Sequence, residues 1–117
     1  MSNVSFGKDG EEKARKYLKK KGYRILHANF KTQLGEIDII AEHEGCIVFV
    51  EVKTRSGSGY GLPREAVGFY KQKRYSRLAM QYIKAYNLFG KRARFDVIEV
   101  TGEGINHIEN AFEYINA

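Results

Sequence analysis

The sequence predicts an α/β protein in the order helix, three strands, helix, then one or two strands. Apolar residues recur at helical spacing over 9–22 and again over 70–86. Between and after these segments lie runs that alternate with a period of two and are rich in Val, Ile and Phe. A third observation concerns charge. The stretch GEIDIIAEHEGCIVFVEVKTR, Gly35 to Arg55, carries five of the fourteen acidic residues, and no Lys or Arg lies between Lys31 and Lys53.

The totals bound the answer. At 117 residues the chain is read as one domain, 1–117, able to bury a core without disulfide or metal staples. With 43% hydrophobic and 29% charged residues and a single Pro, it falls outside the disordered and fibrous classes. One cysteine, Cys46, excludes an internal disulfide and suits a reducing compartment. Its apolar neighbours mark it as a buried thiol rather than a nucleophile. The N-terminal MSNVSFGKDGEEK has no signal-type apolar core, and no run approaches a membrane span. A cytoplasmic protein without a membrane partner is expected. The net charge of +6 points to a polyanion. Lys53 to Arg94 holds eleven bases against one acid, Glu65, and the first 24 residues hold eight more. An acidic pocket within a basic surround accounts for this segregation.

The first helix is expected to open at Asp9 as N-cap, with Glu12 completing a capping-box pair. Ala14, Tyr17 and Leu18 form its apolar stripe, and Gly22 stops it. At about 100° per residue, Glu11 lies about 65° from that stripe, while Glu12 lies almost opposite. Glu11 can therefore lean toward the interior or merely complement the helix dipole; Glu12 is left with the second role. Tyr23 to Phe30 reads as a strand and Lys31 to Leu34 as a turn. His27, His43 and His107 have no ligand-spaced partners and read as structural or surface residues.

The next two strands form a hairpin. Ile37, Ile39 and Ala41, with Cys46, Val48, Val50 and Val52, give it one apolar face, and packing that face on a core restricts the register. With Glu44-Gly45 as the turn, paired positions sum to 89; a Gly bulge would shift the count. Asp38 then opposes Glu51, and Glu36 opposes Lys53, with Cβ atoms about 4.5–5.5 Å apart. Opposed carboxylates call for a cation between them, a proton on one, or Lys53 as neutraliser. The alternative is a solvated face bearing a Glu36–Lys53 surface pair, although Ile40 and Phe49 share that face.

TRSGSGYGLP, from Thr54 to Pro63, reads as a Gly/Ser loop beside the carboxylates. It lacks the Gly-Lys-Ser/Thr ending of a phosphate-binding loop. A helical segment starts at Arg64 to Val67 before the interruption at Gly68. From Tyr70 to Tyr86, the stripe Tyr75, Leu78, Ala79, Tyr82, Ile83 and Tyr86 reads as core rather than a base-stacking platform. Gln72 extends the stripe toward the helix N-terminus, where Lys71 would meet a phosphate. Arg94 to Val100 is a strand with Asp96 in a hydrogen-bonding role, and Ile105 to Ile108 adds a short edge strand.

An acid on one strand and Glu-x-Lys on the next, in this element order, resembles the core of the PD-(D/E)xK nuclease superfamily, and is similar to archaeal Holliday-junction resolvases. The whole chain more closely resembles the bacterial YraN-like family. Gly10-Glu11, Gly22-Tyr23, GEIDII at 35–40, VFVEVKTR at 48–55, Lys71 and RFDVIEV at 94–100 carry that resemblance. Ile37 stands where the superfamily has proline. The resemblance implies a restriction-endonuclease-like three-layer core, with a mixed central sheet of 4–5 strands flanked by helices. It implies Asp38 and Glu51 as metal ligands, Lys53 as catalytic lysine, Glu11 as the helix-borne acid and Gln72 as a supporting polar residue.

Phosphodiester hydrolysis suits that set. Mg²⁺, with Mn²⁺ as substitute, binds hard oxygens, here those of Asp38, Glu51 and the Val52 carbonyl. Lys53 orients water or stabilises developing charge, and Arg55, Lys71, Lys73 and Arg74 contact phosphates. The expected function is a Mg²⁺-dependent endonuclease acting on DNA, branched or structured DNA included. The rivals are a non-catalytic nucleic-acid-binding module or complex subunit with the same fold, and a basic structural domain whose acids only pair with Lys53. Little chain lies beyond the minimal core, which leaves substrate choice to a homodimer or protein partner.

Overall fold

The computed structural model describes residues 3–55 and 67–116, with side chains from Asp9 onward. The Gly/Ser loop and the helical start at Arg64 fall largely outside the described residues. The order is α1 (Asn3–Lys20), β1 (Arg24–Thr32), β2 (Gly35–His43), β3 (Cys46–Thr54), α2 (Phe69–Ala85), β4 (Arg92–Thr101) and β5 (Gly104–Phe112). The five strands make one sheet in sequence order. β1, β2 and β3 run antiparallel, β3 and β4 parallel, and β4 and β5 antiparallel. A parallel pair needs a crossover, and α2 lies within it. Among the described residues, no helix is long and apolar enough to cross a membrane.

Two cores give the three layers. α1 sets Ala14 and Leu18 against Ile39, Val48, Val50 and Ile98 on one face of the sheet. α2 sets Tyr75, Leu78 and Tyr82 against Ile40, Phe49 and Val97 on the other. Every residue of β3 from Cys46 to Glu51 is buried, as expected of a strand covered on both sides. The expected stripe of α2 is core: Tyr75, Leu78, Ala79 and Tyr82 are buried. Tyr86, at its end, is half exposed and meets His27 Nε2 at 3.1 Å.

Both helices stop by the same device. Tyr23 N–H bonds the Leu18 carbonyl at 3.0 Å and Gly22 N–H that of Lys19 at 3.1 Å, with Gly22 at φ 90°. This six-to-one and five-to-two pattern needs a left-handed residue, for which glycine is cheapest. Asn87, at φ 53°, plays that part after α2.

The start of α1 departs from expectation. The helix begins at Asn3, so Asp9 is an exposed interior residue rather than an N-cap. β5 also extends well past Ile108, to Phe112, whose ring stacks on Phe95 with centroids 4.7 Å apart.

The β2–β3 register is the expected one: Ile39 pairs Val50, Ile40 pairs Phe49 and His43 pairs Cys46. Glu44 and Gly45 form the turn, both at positive φ (51° and 78°), which matches the twist of the flanking strands. The ladder ends at Ile39–Val50, however, before Asp38 and Glu51 can pair. Ile37 packs in the α2-side core and Ile39 in the α1-side core. Residues two apart share a face in a regular strand, so the alternation breaks at Asp38 and the hairpin does not keep Ile37 on its α1 face.

Candidate metal and catalytic centre

The break in β2 makes the site. Freed from the ladder, the Asp38 carboxylate accepts the Val52 N–H at 2.8 Å, replacing a backbone acceptor with an anionic one. Glu36 does not oppose Lys53; it pairs Lys31 across the β1–β2 ladder, with Nζ 3.4 Å from its carboxylate. α1 brings the third acid. Gly10 abuts Thr54 so closely that a Cβ there would collide with the Thr54 hydroxyl. That approach delivers Glu11 to the sheet, and carboxylate oxygens of Glu11, Glu36 and Asp38 lie within 4.8 Å of one another.

Because α1 starts at Asn3, Glu11 is well past the first turn, where a helix-dipole role would place it. Glu12 is exposed and meets Lys16 at 3.4 Å. Burial foremost, then the charge of Glu51 and those of Glu11 and Glu36, push the Asp38 carboxyl from 3.8 up to about 8, against the lowering effect of the Val52 N–H.

Glu51 is handled differently. It is 4% exposed and is gripped from α2, where Lys71 Nζ donates at 2.5 Å and the Tyr75 hydroxyl donates to the other oxygen. Lys53 Nζ stands 3.6 Å away. Burial, with the Glu51 and Asp38 charges, holds the Tyr75 hydroxyl well above its ordinary range, so it stays a donor. Lys71 therefore counters a buried carboxylate instead of being presented to a phosphate.

Arg55 is likewise tied down, its Nε 2.8 Å from the fully buried Glu99 carboxylate, which also accepts from Asn106 at 3.1 Å. Gln72 caps the Val67 carbonyl at 2.7 Å, a supporting role at the start of α2 rather than a contact with the acids. Lys73 is half-buried, and the exposed Arg74 lays its stem beside Gly35 at the β1–β2 turn.

The set left facing one region is thus Glu11, Glu36, Asp38 and Glu51, with Lys53 and Lys71. Its donors are all hard carboxylate oxygens, and three further acids gathered around a half-buried Asp38 repel it and one another. That combination fits a divalent cation of the Mg²⁺ or Mn²⁺ type. Tyr75 and Glu99 are polar residues that reading the sequence missed. Tyr75 lies one helical turn after Lys71, a spacing that could have paired them. Glu99 is an acid inside an apolar strand, where burial demands a partner.

Asp96 keeps the hydrogen-bonding role expected of it. It is fully buried and accepts from Arg94 Nε at 3.0 Å, from His107 at 2.7 Å and from the Asn110 N–H at 3.0 Å. Burial raises its pKa, but these three donors and the Arg94 charge outweigh it and hold the carboxyl below its ordinary value. Cys46 is a buried thiol pushed upward by burial. His27 bonds the Tyr82 hydroxyl at 2.9 Å, and His43 stacks on Tyr23 at 4.0 Å, so both are structural.

Comparison with known proteins places the chain in a family. A protein of Persephonella marina is 46% identical over 107 residues, covering 92% of each chain. One from Caldanaerobacter subterraneus is 50% identical over 119 aligned positions, covering 96% of this chain and 98% of its own. One from Alkaliphilus oremlandii is 51% identical over 117, covering 94% and 99%. Each is named only as a UPF0102 protein. The family model matches residues 10–100, a span that holds Glu11, Glu36, Asp38, Glu51 and Lys53. The chain therefore belongs to UPF0102, the uncharacterised protein family that the YraN-like resemblance pointed to.

Proposed function

We propose that this chain is a divalent-cation-dependent endonuclease of the PD-(D/E)xK type, hydrolysing phosphodiester bonds of DNA, including branched or structured DNA. The observation that carries the proposal is the convergence of Glu11, Glu36 and Asp38 within 4.8 Å beside a buried Glu51 and Lys53. Such a cluster destabilises a fold, and a structural domain gains nothing from it.

In the reaction, water adds to phosphorus, one P–O ester bond breaks, and the leaving oxygen takes up a proton. A bound Mg²⁺ would lower the pKa of water and neutralise phosphoryl charge. Asp38, with Glu11, Glu36 and Glu51 around it, would hold that ion. The Val52 carbonyl, expected as a further ligand, belongs to the residue whose N–H fixes Asp38. Lys53 donates to the attacking water or to the oxygens that gain charge. Lys71 and Tyr75 position the Glu51 carboxylate. The basic surround supplies sequence-independent phosphate affinity, and a homodimer or partner protein can add substrate choice.

The test is cleavage of linear, single-stranded, flapped and four-way-junction DNA with Mg²⁺ or Mn²⁺. Wild type should cut at least one of them, and Asp38→Asn and Lys53→Ala should each lose about 100-fold or more. DNA binding without cleavage of any substrate would instead assign the chain to the non-catalytic binding class.

A further inference from the structure

A groove of about 990 Å³ runs between α1 and the β4–β5 hairpin. Lys13, Lys16, Lys19 and Lys20 border it, against one acid, Glu103. Lys13, Lys16 and Lys20 fall at i, i+3 and i+7, a single row on the helix. Between them the floor is apolar, with Tyr17, Val100 and Ile105. The groove continues past this row. An adjoining cavity shares Lys13, Val100, Thr101 and Gly102 with it and reaches Gly10, Thr54 and Arg55, with Asp9 as a second acid at its edge. The two cavities thus form one channel along α1 as far as Gly10, the residue before Glu11, although no carboxylate of the cluster lines either cavity.

We propose that this channel carries the phosphodiester backbone of a nucleic-acid strand leading away from the carboxylates, with Lys13, Lys16 and Lys20 on its phosphates. The proposal rests on the nuclease reading, in that the strand is the substrate. Three features fit this occupant. A strand carries charge at regular intervals and meets a regular row of lysines. From Gly10 to Lys20 the helix rises about 15 Å at 1.5 Å per residue, the axial length of roughly four base steps at 3.4 Å. The apolar floor offers sugar and base faces a surface that charge alone would not. The Glu12–Lys16 pair at 3.4 Å is exposed, and exposed pairs of this kind are worth little, so Lys16 is readily exchanged to a phosphate.

The test is fluorescence anisotropy with labelled single-stranded and duplex DNA across a salt series, with Ca²⁺ replacing Mg²⁺. Lys16→Ala/Lys20→Ala should bind about tenfold or more weakly at low salt. The slope of log K against log salt should become shallower by about 1.4–1.8, at 0.7–0.9 per phosphate contact. Arg77→Ala/Lys84→Ala removes the same charge from α2 and should leave the slope unchanged, while Lys16→Arg/Lys20→Arg should restore it. Circular dichroism confirms that each variant folds.

Equal slopes for both alanine pairs would overturn the proposal. So would a Lys16→Ala/Lys20→Ala protein that keeps its DNA affinity but loses binding to an oligoglutamate peptide, which would give the channel to an acidic protein segment. Failure of the nuclease reading is distinct: a shallower slope with no cleavage of any DNA leaves the channel standing.

Discussion

Replacing Asp38 by Asn separates what the acids do for the fold from what they do for function. The asparagine oxygen can still accept the Val52 N–H that Asp38 takes at 2.8 Å, so no backbone donor is orphaned. What disappears is a negative charge placed among Glu51, Glu11 and Glu36. The Asp38 carboxyl is raised from 3.8 to about 8, so the folded chain binds that proton more tightly than the unfolded one. The metal-free protein must then lose stability as pH rises between these values, by at most about 1.4 kcal/mol per pH unit. Asp38 is only half-buried, and the solvent that reaches it screens part of this.

Asp38→Asn should therefore be more stable than wild type at pH 8 by about 1–3 kcal/mol, a Tm rise of roughly 5–10 °C, and nearly equal to it at pH 4.5. Thermal unfolding followed by circular dichroism in EDTA reads the difference. Added Mn²⁺ at about 100 times its Kd should raise wild-type stability by about 2.7 kcal/mol and leave the variant unchanged. An Asp38→Asn protein less stable than wild type at pH 8, or a gap that ignores pH, would refute the reasoning.

Other residues give sharper local tests. Lys71→Met leaves the buried Glu51 with Tyr75 and the more distant Lys53, and should destabilise by about 1–3 kcal/mol in urea titrations; adding Glu51→Gln should recover most of that loss. Gly10→Ala must push α1 off Thr54, destabilising by about 1–3 kcal/mol and weakening Mn²⁺ binding in calorimetry through displacement of Glu11. The Asp96 carboxyl is held below its ordinary value, so its contribution is present above about pH 3.9 and lost as pH falls through its lower folded value. Asp96→Asn should thus be destabilised by about 1–3 kcal/mol at pH 7, with the gap to wild type closing in acid.

The fold was largely legible because its signals are local. The stripes of α1 and α2, the Glu44-Gly45 turn and the alternation of β3 each rest on neighbours in sequence, and they settled the element order and a register summing to 89. The start of α1 was not legible, since Asn3 to Lys8 shows no helical repeat. The site was legible as a set of acids but not as an arrangement. Ile37, Asp38 and Ile39 alternate in sequence as a regular strand does, and only packing on opposite faces of the sheet reveals the break. Lys71 and Tyr75 reach Glu51 across the crossover from β3 to α2, a contact that follows from how the helix is laid on the sheet. Glu36 stands near Asp38, two residues on, and its partner Lys31 comes from the β1–β2 ladder rather than from the hairpin.

Diffraction from crystals soaked in Mn²⁺, recorded near the manganese edge, tests the central claim most directly. The account predicts an anomalous peak bonded to Asp38 and to at least one of Glu11, Glu36 and Glu51, absent from Asp38→Asn crystals. A fully soaked crystal with no peak at these carboxylates, or with the ion held elsewhere, would contradict it.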